Sequence, residues 1–313
     1  MVKIYRPINE TWTFTNESFQ EMLHPNNKIY FLSKFGSVFP NIYHNLRFGN
    51  TCQSKKEKRI FYLEFFIFAS RTIANISFNF KNVGIKFNLE NVTSRSEAFF
   101  LPYERIAEAE EIFVGGICEV EISGLFEIEK DEYPNIPREY LNNEIWEKSE
   151  KDFDIIVISG NENTEKIVKI HKQLLLSQSP VFEAMFRSGR EEFLTNTLKI
   201  VDFDFSTVNS VVEFFYGREN LESFSLEEIF EIVRFSDKYV VESLTEYFTT
   251  FLSYRLSPSN ICEISNAAIA SNSMIKLRQT CFKFLVAFFK QTIPVENFDT
   301  LNAEFAAELF QEQ

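Results

Sequence analysis

The sequence predicts a multi-domain protein with an N-terminal antiparallel β-sandwich, a central α+β domain and an all-α C-terminal part. Up to about residue 130, short β-branched and aromatic runs alternate with Asn, Ser and Gly, which is typical of a sandwich. A connector with two prolines, "DEYPNIPREY" (131–140), then interrupts regular structure. After residue 153 the pattern changes to three strands and then to amphipathic helices. The predicted units are 1–130, 131–147, 148–250 and 251–313.

The sandwich prediction depends on four segments of strand character. They are "KRIFYLEFFIF" (58–68), "ANISFNF" (74–80), "GIKFNL" (84–89) and "GICEVEISGLFEIE" (116–129). In the last of them, three glutamates are interleaved with four apolar residues, namely Val120, Ile122, Leu125 and Phe126. This alternation predicts a strand with one buried and one solvated face, as in an antiparallel sheet.

The connector leads into a short predicted helix, "REYLNNEIWEKSE" (138–150). Leu141, Ile145 and Trp146 lie on one side of it, at positions i, i+4 and i+5. A helix of this length is marginal by itself, so its apolar side must be covered. A second chain is one candidate to pack against this apolar side.

The region after residue 153 contains both strands and helices. The predicted strands are 153–159, 166–171 and 197–203, and the later amphipathic helices are 206–216, 224–240, 241–254, 259–270 and 274–290. Ser179 and Pro180 mark the start of an earlier helix, because Ser caps an N-terminus and Pro fits the first helical position. Pro258 and Pro294 mark helix boundaries further along the chain.

Charge, apolar runs and cysteines exclude several classes of protein. The net charge is −13, divided into +6 for residues 1–100 and −19 for residues 101–313, which argues against nucleic acid as the main ligand. No apolar run approaches the ~20 residues of a membrane span, and the first residues do not resemble a signal peptide. The four cysteines contain no C-x-x-C pair, so we expect reduced thiols, no zinc site, and a cytoplasmic and/or nuclear protein.

His171 is the one histidine whose sequence position raises the question of catalysis. It stands between a predicted strand and a leucine-rich helix, with no acidic or cysteine partner nearby. Catalysis needs an activating and orienting partner, so a structural role at this corner is favoured. The chain also lacks a nucleophile elbow and a phosphate-binding glycine loop. We therefore predict no enzyme activity, no cofactor and no metal.

The residues around His171 resemble the BTB (POZ) domain over about 148–250. The residues that carry the resemblance are Asp154, His171, Lys172, Leu175, Ser179, Phe182, Phe186 and the Phe-Tyr-Gly step at 215–217. Residues 251–313, with the Asn260-Ile261-Cys262 step, resemble part of the helical BACK extension. "TWTFTN" (11–16) and "FFLPYERIAEAEEIFVGGICEVEISGLFEI" (99–128) resemble a MATH (TRAF-like) sandwich, with another kind of sandwich as the alternative.

The resemblance implies a homodimeric interaction module without catalytic chemistry. It places Asp154 and Lys172 near the dimer interface, and the uncovered side of the 138–150 helix adds Leu141, Ile145 and Trp146 to that interface. The alternative is that Asp154 and Lys172 pair within one chain and that the helix packs on its own domain. The expected role is substrate adaptor of a cullin-RING ubiquitin ligase, with a protein substrate bound by residues 1–130. A homodimeric scaffold without a ligase is the alternative. Transcriptional regulation is disfavoured, because zinc fingers are absent and the charge is acidic.

The resemblance also implies where a cullin would bind. In cullin-binding BTB domains, the loop after the Phe-containing helix carries an apolar residue, any residue and then Glu. Here Phe186 lies on that helix, Glu192 supplies the Glu, and Arg190 occupies the apolar position. Burying an unpaired guanidinium in an apolar pocket is unfavourable. Either the stem of Arg190 enters the pocket with its head in water, or Phe193 substitutes from a shifted register.

Overall fold

Two facing antiparallel sheets occupy the N-terminal part of the computed structural model. An α+β unit rich in helices, which we call the body, follows them and consists of the described residues from 150 to 311. The structure describes residues 1–23, 30–32, 36–39, 42–51, 60–81, 84–93, 97–101, 113–136, 150–159, 164–187, 195–217 and 223–311. The predicted fold class is confirmed: a strand-rich N-terminal region precedes an α+β region and then helices. Residues 138–149 of the predicted helix (138–150) lie outside the described residues, and Glu150 is not helical.

The sandwich is built from nine strands within the described ranges, and one short helix, α1 (Asn16–Leu23), follows the first strand. The strands are β1 (Val2–Thr15), β2 (Tyr30–Leu32), β3 (Gly36–Phe39), β4 (Ile42–Thr51), β5 (Ile60–Phe68), β6 (Thr72–Phe80), β7 (Ile85–Val92), β8 (Glu97–Leu101) and β9 (Ile117–Lys130). One sheet has the order β1-β9-β6-β7, and the other has β2-β4-β5-β8 with β3 paired to β4. The first and last strands of the sandwich are therefore neighbours, with Val2 opposite Lys130.

Burial along β9 follows the predicted alternation, with one exception. Val120, Ile122 and Phe126 point into the sandwich core. Leu125 lies an odd number of residues from the other three, so its side chain points to the outer face of the sheet. The prediction that all four apolar residues share one face was therefore wrong for Leu125. It is nevertheless only 4% exposed, because the body covers that face.

The body begins with a three-stranded sheet, β10 (Phe153–Ser159), β11 (Thr164–Ile170) and β12 (Thr197–Ile200). The central strand β10 is antiparallel to β11 and parallel to β12. The helices are α2 (Lys172–Gln178), α3 (Pro180–Arg187), α4 (Phe205–Phe215), α5 (Leu226–Tyr239), α6 (Glu242–Arg255), α7 (Ile261–Ala270), α8 (Ile275–Lys290) and α9 (Ala303–Leu309). Strand β12 ends at Ile200, three residues before the end of the predicted strand at 197–203.

Local capping explains where the long helix α5 begins and ends. Ser225 and Glu228 form a capping box, in which the Glu228 N–H donates to Ser225 Oγ at 3.3 Å and the Ser225 N–H donates to Glu228 Oε2 at 2.8 Å. Val240 ends the helix in the left-handed conformation, with φ 50°. The chain therefore turns directly from α5 into α6.

The body has one continuous hydrophobic core. Helix α6 runs through the predicted boundary at residue 250, and its buried residues share a core with β10 and with α8. Residues on both sides of that boundary therefore pack as one unit. Among the described residues, no helix is long and apolar enough to cross a membrane.

Candidate interaction surface

His171 lies at the corner between β11 and α2 and is 5% exposed. The hydroxyl of Tyr216 lies 2.6 Å from His171 Nδ1 and accepts the His171 backbone N–H at 3.0 Å. One oxygen can do both, because a hydroxyl donates one hydrogen bond while accepting another. The contact joins the β11–α2 corner to the C-terminal end of α4. The geometry agrees with the predicted structural role of His171.

Ser179 lies at the corner between α2 and α3. Its hydroxyl accepts the backbone N–H of Phe182 at 3.2 Å, which caps α3 as predicted. The same hydroxyl donates to the carbonyl oxygen of Tyr239 at 2.5 Å, at the end of α5. Ser179 therefore fixes the orientation of α3 relative to α5.

Asp154 and Lys172 lie on either side of Asn196. Lys172 Nζ donates to Asn196 Oδ1 at 3.0 Å, and the backbone N–H of Asp154 donates to the Asn196 carbonyl at 3.1 Å. Asp154 Oδ1 lies 3.3 Å from Nζ of Lys169 on the neighbouring strand. The structure thus brings the two predicted residues to one place, and Asn196 contacts both.

Asn196 and Asp152 belong to this place, although the sequence reasoning did not select them. Asn196 has φ 52°, a left-handed conformation that Asn tolerates better than most residues. Asp152 Oδ1 accepts the N–H of Lys172, the first residue of α2, at 2.8 Å. A negatively charged carboxylate is stabilised at the N-terminus of a helix by the helix dipole. In the sequence, Asn196 could have been found from its place in a short polar run before a strand.

Of the four residues predicted to contact a cullin, only Phe186 is within the described residues. Its ring is 6% exposed, packs edge-on against Phe153 at 5.1 Å, and lies 4.5 Å from Lys172 Nζ. Phe186 is therefore a core residue beneath the surface. Arg190, Glu192 and Phe193 lie outside the described residues, as do Leu141, Ile145 and Trp146.

The described residues hold no cluster of three or more His, Cys, Asp or Glu that could bind a metal ion. Burial raises the pKa of Cys118 and of Cys281 to about 12, so both thiols stay protonated at neutral pH. Neither is therefore an activated nucleophile. The described part of the site offers surfaces and charges for contact with another molecule.

Comparison with known proteins places this region in a family. The BTB/POZ domain family matches residues 143–256. A BTB/POZ domain-containing protein of Arabidopsis thaliana is 32% identical over 108 residues, which are 34% of this chain and 44% of that protein. BTB and MATH domain-containing protein 42 of Caenorhabditis elegans is 28% identical over 191 residues, 58% of this chain and 44% of that protein.

A third relative, Kelch-like ECH-associated protein 1B of Danio rerio, is 28% identical over 134 residues, 42% of this chain and 22% of that protein. The matched region spans less than half of the length of each of these relatives. The family match covers β10–β12 and helices α2–α6, including His171, Ser179 and Tyr216. We conclude that residues 143–256 of this chain are a BTB/POZ domain.

Proposed function

We propose that the protein is a homodimeric protein-interaction adaptor without enzyme activity, in the cytoplasm and/or nucleus. The observation that carries the proposal is the BTB/POZ match at residues 143–256. It is supported by the contacts of His171, Ser179 and Asn196, which serve to hold strands and helices in place. The finer form of the proposal is a substrate-recognition subunit of a cullin-RING ubiquitin ligase.

In this proposal, residues 1–130 are a MATH-like sandwich that binds the protein substrate. The two-sheet architecture and the name of the nematode relative, which pairs BTB with MATH, both support it. The match to that relative covers 191 residues and so extends beyond the family match at 143–256. We further propose that residues 251–313, which include α7, α8 and α9, are a BACK-like extension of the BTB/POZ domain.

We expect the protein to be a dimer in solution through Leu141, Ile145 and Trp146, with Asp154 and Lys172 beside the interface. The charged and amide groups around Asn196 are near the surface, where they can border such an interface. Trp146→Asp is expected to shift the mass measured by light scattering from dimer to monomer, because burying an unpaired carboxylate is unfavourable. Glu304→Ala, at an exposed position of α9, is the control and should remain dimeric. A monomeric wild type at micromolar concentration contradicts this proposal.

The cullin contact is tested by calorimetry with a recombinant cullin N-terminal domain. We expect Arg190→Met to bind roughly tenfold or more tightly than wild type, because the change removes the cost of desolvating a guanidinium. We expect Glu192→Ala to bind more weakly. Phe186 contributes indirectly, since its buried ring supports α3, which precedes Arg190 and Glu192 in the chain.

Arg187→Met is the matched control for Arg190→Met. Arg187 ends α3, is exposed and pairs with Glu183 at 2.5 Å, so its loss should leave cullin affinity within about twofold of wild type. Absence of both binding heat and pull-down for the wild type and all three variants would rule out the ligase adaptor. A dimer without cullin binding would then favour the scaffold.

A further inference from the structure

The outer face of the first sheet of the sandwich packs against the body. The ring of Tyr5 on β1 meets Phe288 of α8 edge-on at 5.7 Å, and Leu125 on β9 belongs to the hydrophobic core of the body. From the other side, Tyr254 of α6 packs against the sandwich core and lies edge-on to Phe39 at 5.6 Å. Each unit thus contributes apolar side chains to the core of the other. We call these contacts, together with Arg6, the sandwich–body junction.

Arg6 on β1 lies at the centre of this junction. Its guanidinium lies over the rings of Phe39, Tyr254 and Phe284, at 5.2, 4.8 and 5.8 Å from their centroids. Its Nη1 donates to the carbonyl oxygen of Ser253 at 2.8 Å and to that of Tyr5 at 3.0 Å. One side chain from the sandwich is therefore bound by both units.

The Ser253 carbonyl explains why a cation suits this position. It lies in the last turn of α6, where carbonyl groups lack partners within the helix and the helix dipole favours positive charge. Burial lowers the pKa of Arg6 to about 10, so the side chain remains charged at neutral pH. The aromatic faces and the two carbonyl oxygens compensate for the water that Arg6 has lost.

A second contact fixes the beginning of the connector. The ring of Tyr133, three residues after β9, lies 4.1 Å from the guanidinium carbon of Arg255, the last residue of α6. Ile136 packs against the core of the body. Both the sandwich and the first residues of the connector are therefore held by the same end of α6.

We infer that Arg6 is a positioning residue that fixes the sandwich on the body, so that residues 1–130 and the BTB/POZ domain move as one unit. Any molecule bound to the sandwich is then held at a constant orientation relative to the BTB/POZ domain. The sheet face that carries Tyr5 and Leu125 is occupied by the body and is closed to other partners. This inference concerns contacts within one chain and does not depend on the adaptor role.

The test uses two spectroscopic reporters in the full-length chain. In a Trp146→Phe background, Trp12 on β1 is the single tryptophan, so its fluorescence reports the sandwich. Circular dichroism at 222 nm reports mainly the helices of the body. If the units are coupled, the two thermal transitions coincide in this background. We expect Arg6→Ala to lower the Trp12 transition so that it precedes the helical one by about 4–8 °C.

Two further variants separate coupling from simple loss of stability. Ile8→Val leaves the junction intact and destabilises the sandwich core, so both transitions should move together. Tyr254→Ala removes one aromatic wall from the body side and should separate the transitions as Arg6→Ala does. If Arg6→Ala does not fold, Tyr254→Ala and the charge-conserving Arg6→Lys provide the same comparison.

The inference is wrong if the two transitions already differ in the background protein. It is also wrong if Arg6→Ala and Tyr254→Ala leave them coincident, or if Ile8→Val moves the Trp12 transition alone. Because none of these measurements involves a partner, failure to bind a cullin would leave the inference intact. Conversely, uncoupled units would leave the proposed adaptor role intact.

Discussion

Phe182→Ala is expected to lower the free energy of unfolding by about 3–5 kcal/mol, the range for deletion of a buried aromatic ring. Phe182 is fully buried in α3, stacks on Tyr239 at 4.6 Å and lies 6.3 Å from Phe235. Its removal leaves a cavity between α3 and α5 that the capped corner at Ser179 prevents from closing. Urea denaturation followed by circular dichroism measures the effect.

Val181→Ala is the control for that measurement. Val181 is the neighbouring residue of α3 and is half-buried at the edge of the same core, so we expect a loss of about 1 kcal/mol or less. Equal losses for the two variants would contradict the packing described for Phe182.

Tyr216→Phe is expected to cost about 2 kcal/mol of stability or more, although it removes a single oxygen atom. That oxygen is a hydrogen-bond partner of both the backbone N–H and the ring Nδ1 of His171, and the pair is buried. A buried polar group that loses its partner costs about 1–3 kcal/mol. The same urea denaturation measures the loss, and hydrogen exchange of the His171 amide reports it locally.

Tyr254→Phe is the matched control, since it also deletes one tyrosine hydroxyl but keeps the ring beside Arg6. We expect it to change the free energy of unfolding by less than about 0.5 kcal/mol. Equal effects of the two tyrosine variants would mean that the His171–Tyr216 contact adds no stability. His171 would then have no structural advantage over another side chain at this corner.

Much of the fold could be predicted because its signals are local. The alternation in β9, the Ser179-Pro180 step and the apolar stripe of α5 each depend on neighbours within a few residues. Such periodicities predict which residues form a strand or helix and which side of it is buried. They predicted the five long helices of the body to within about two residues at each end.

The candidate site was only partly predictable for the same reason. His171 was selected because it stands at a strand–helix corner, and Asp154 and Lys172 because of the family resemblance. Asn196 comes from a distant segment, and only the parallel pairing of β10 with β12 brings it to Asp154 and Lys172. Phe186 was predicted as a contact residue, but its burial against Phe153 follows from how α3 packs on the sheet.

Local sequence patterns predicted the class of each segment: strands to residue 130, an α+β unit with the residues of a BTB/POZ domain, and helices beyond it. The packing of the folded chain was needed to show that Leu125 is buried by the body, that α6 continues through the predicted boundary at 250, and that Arg6 contacts both units. This difference arises because strand and helix patterns depend on neighbouring residues. The environment of Arg6, by contrast, includes Ser253, Tyr254 and Phe284, which are more than 240 positions away in the chain.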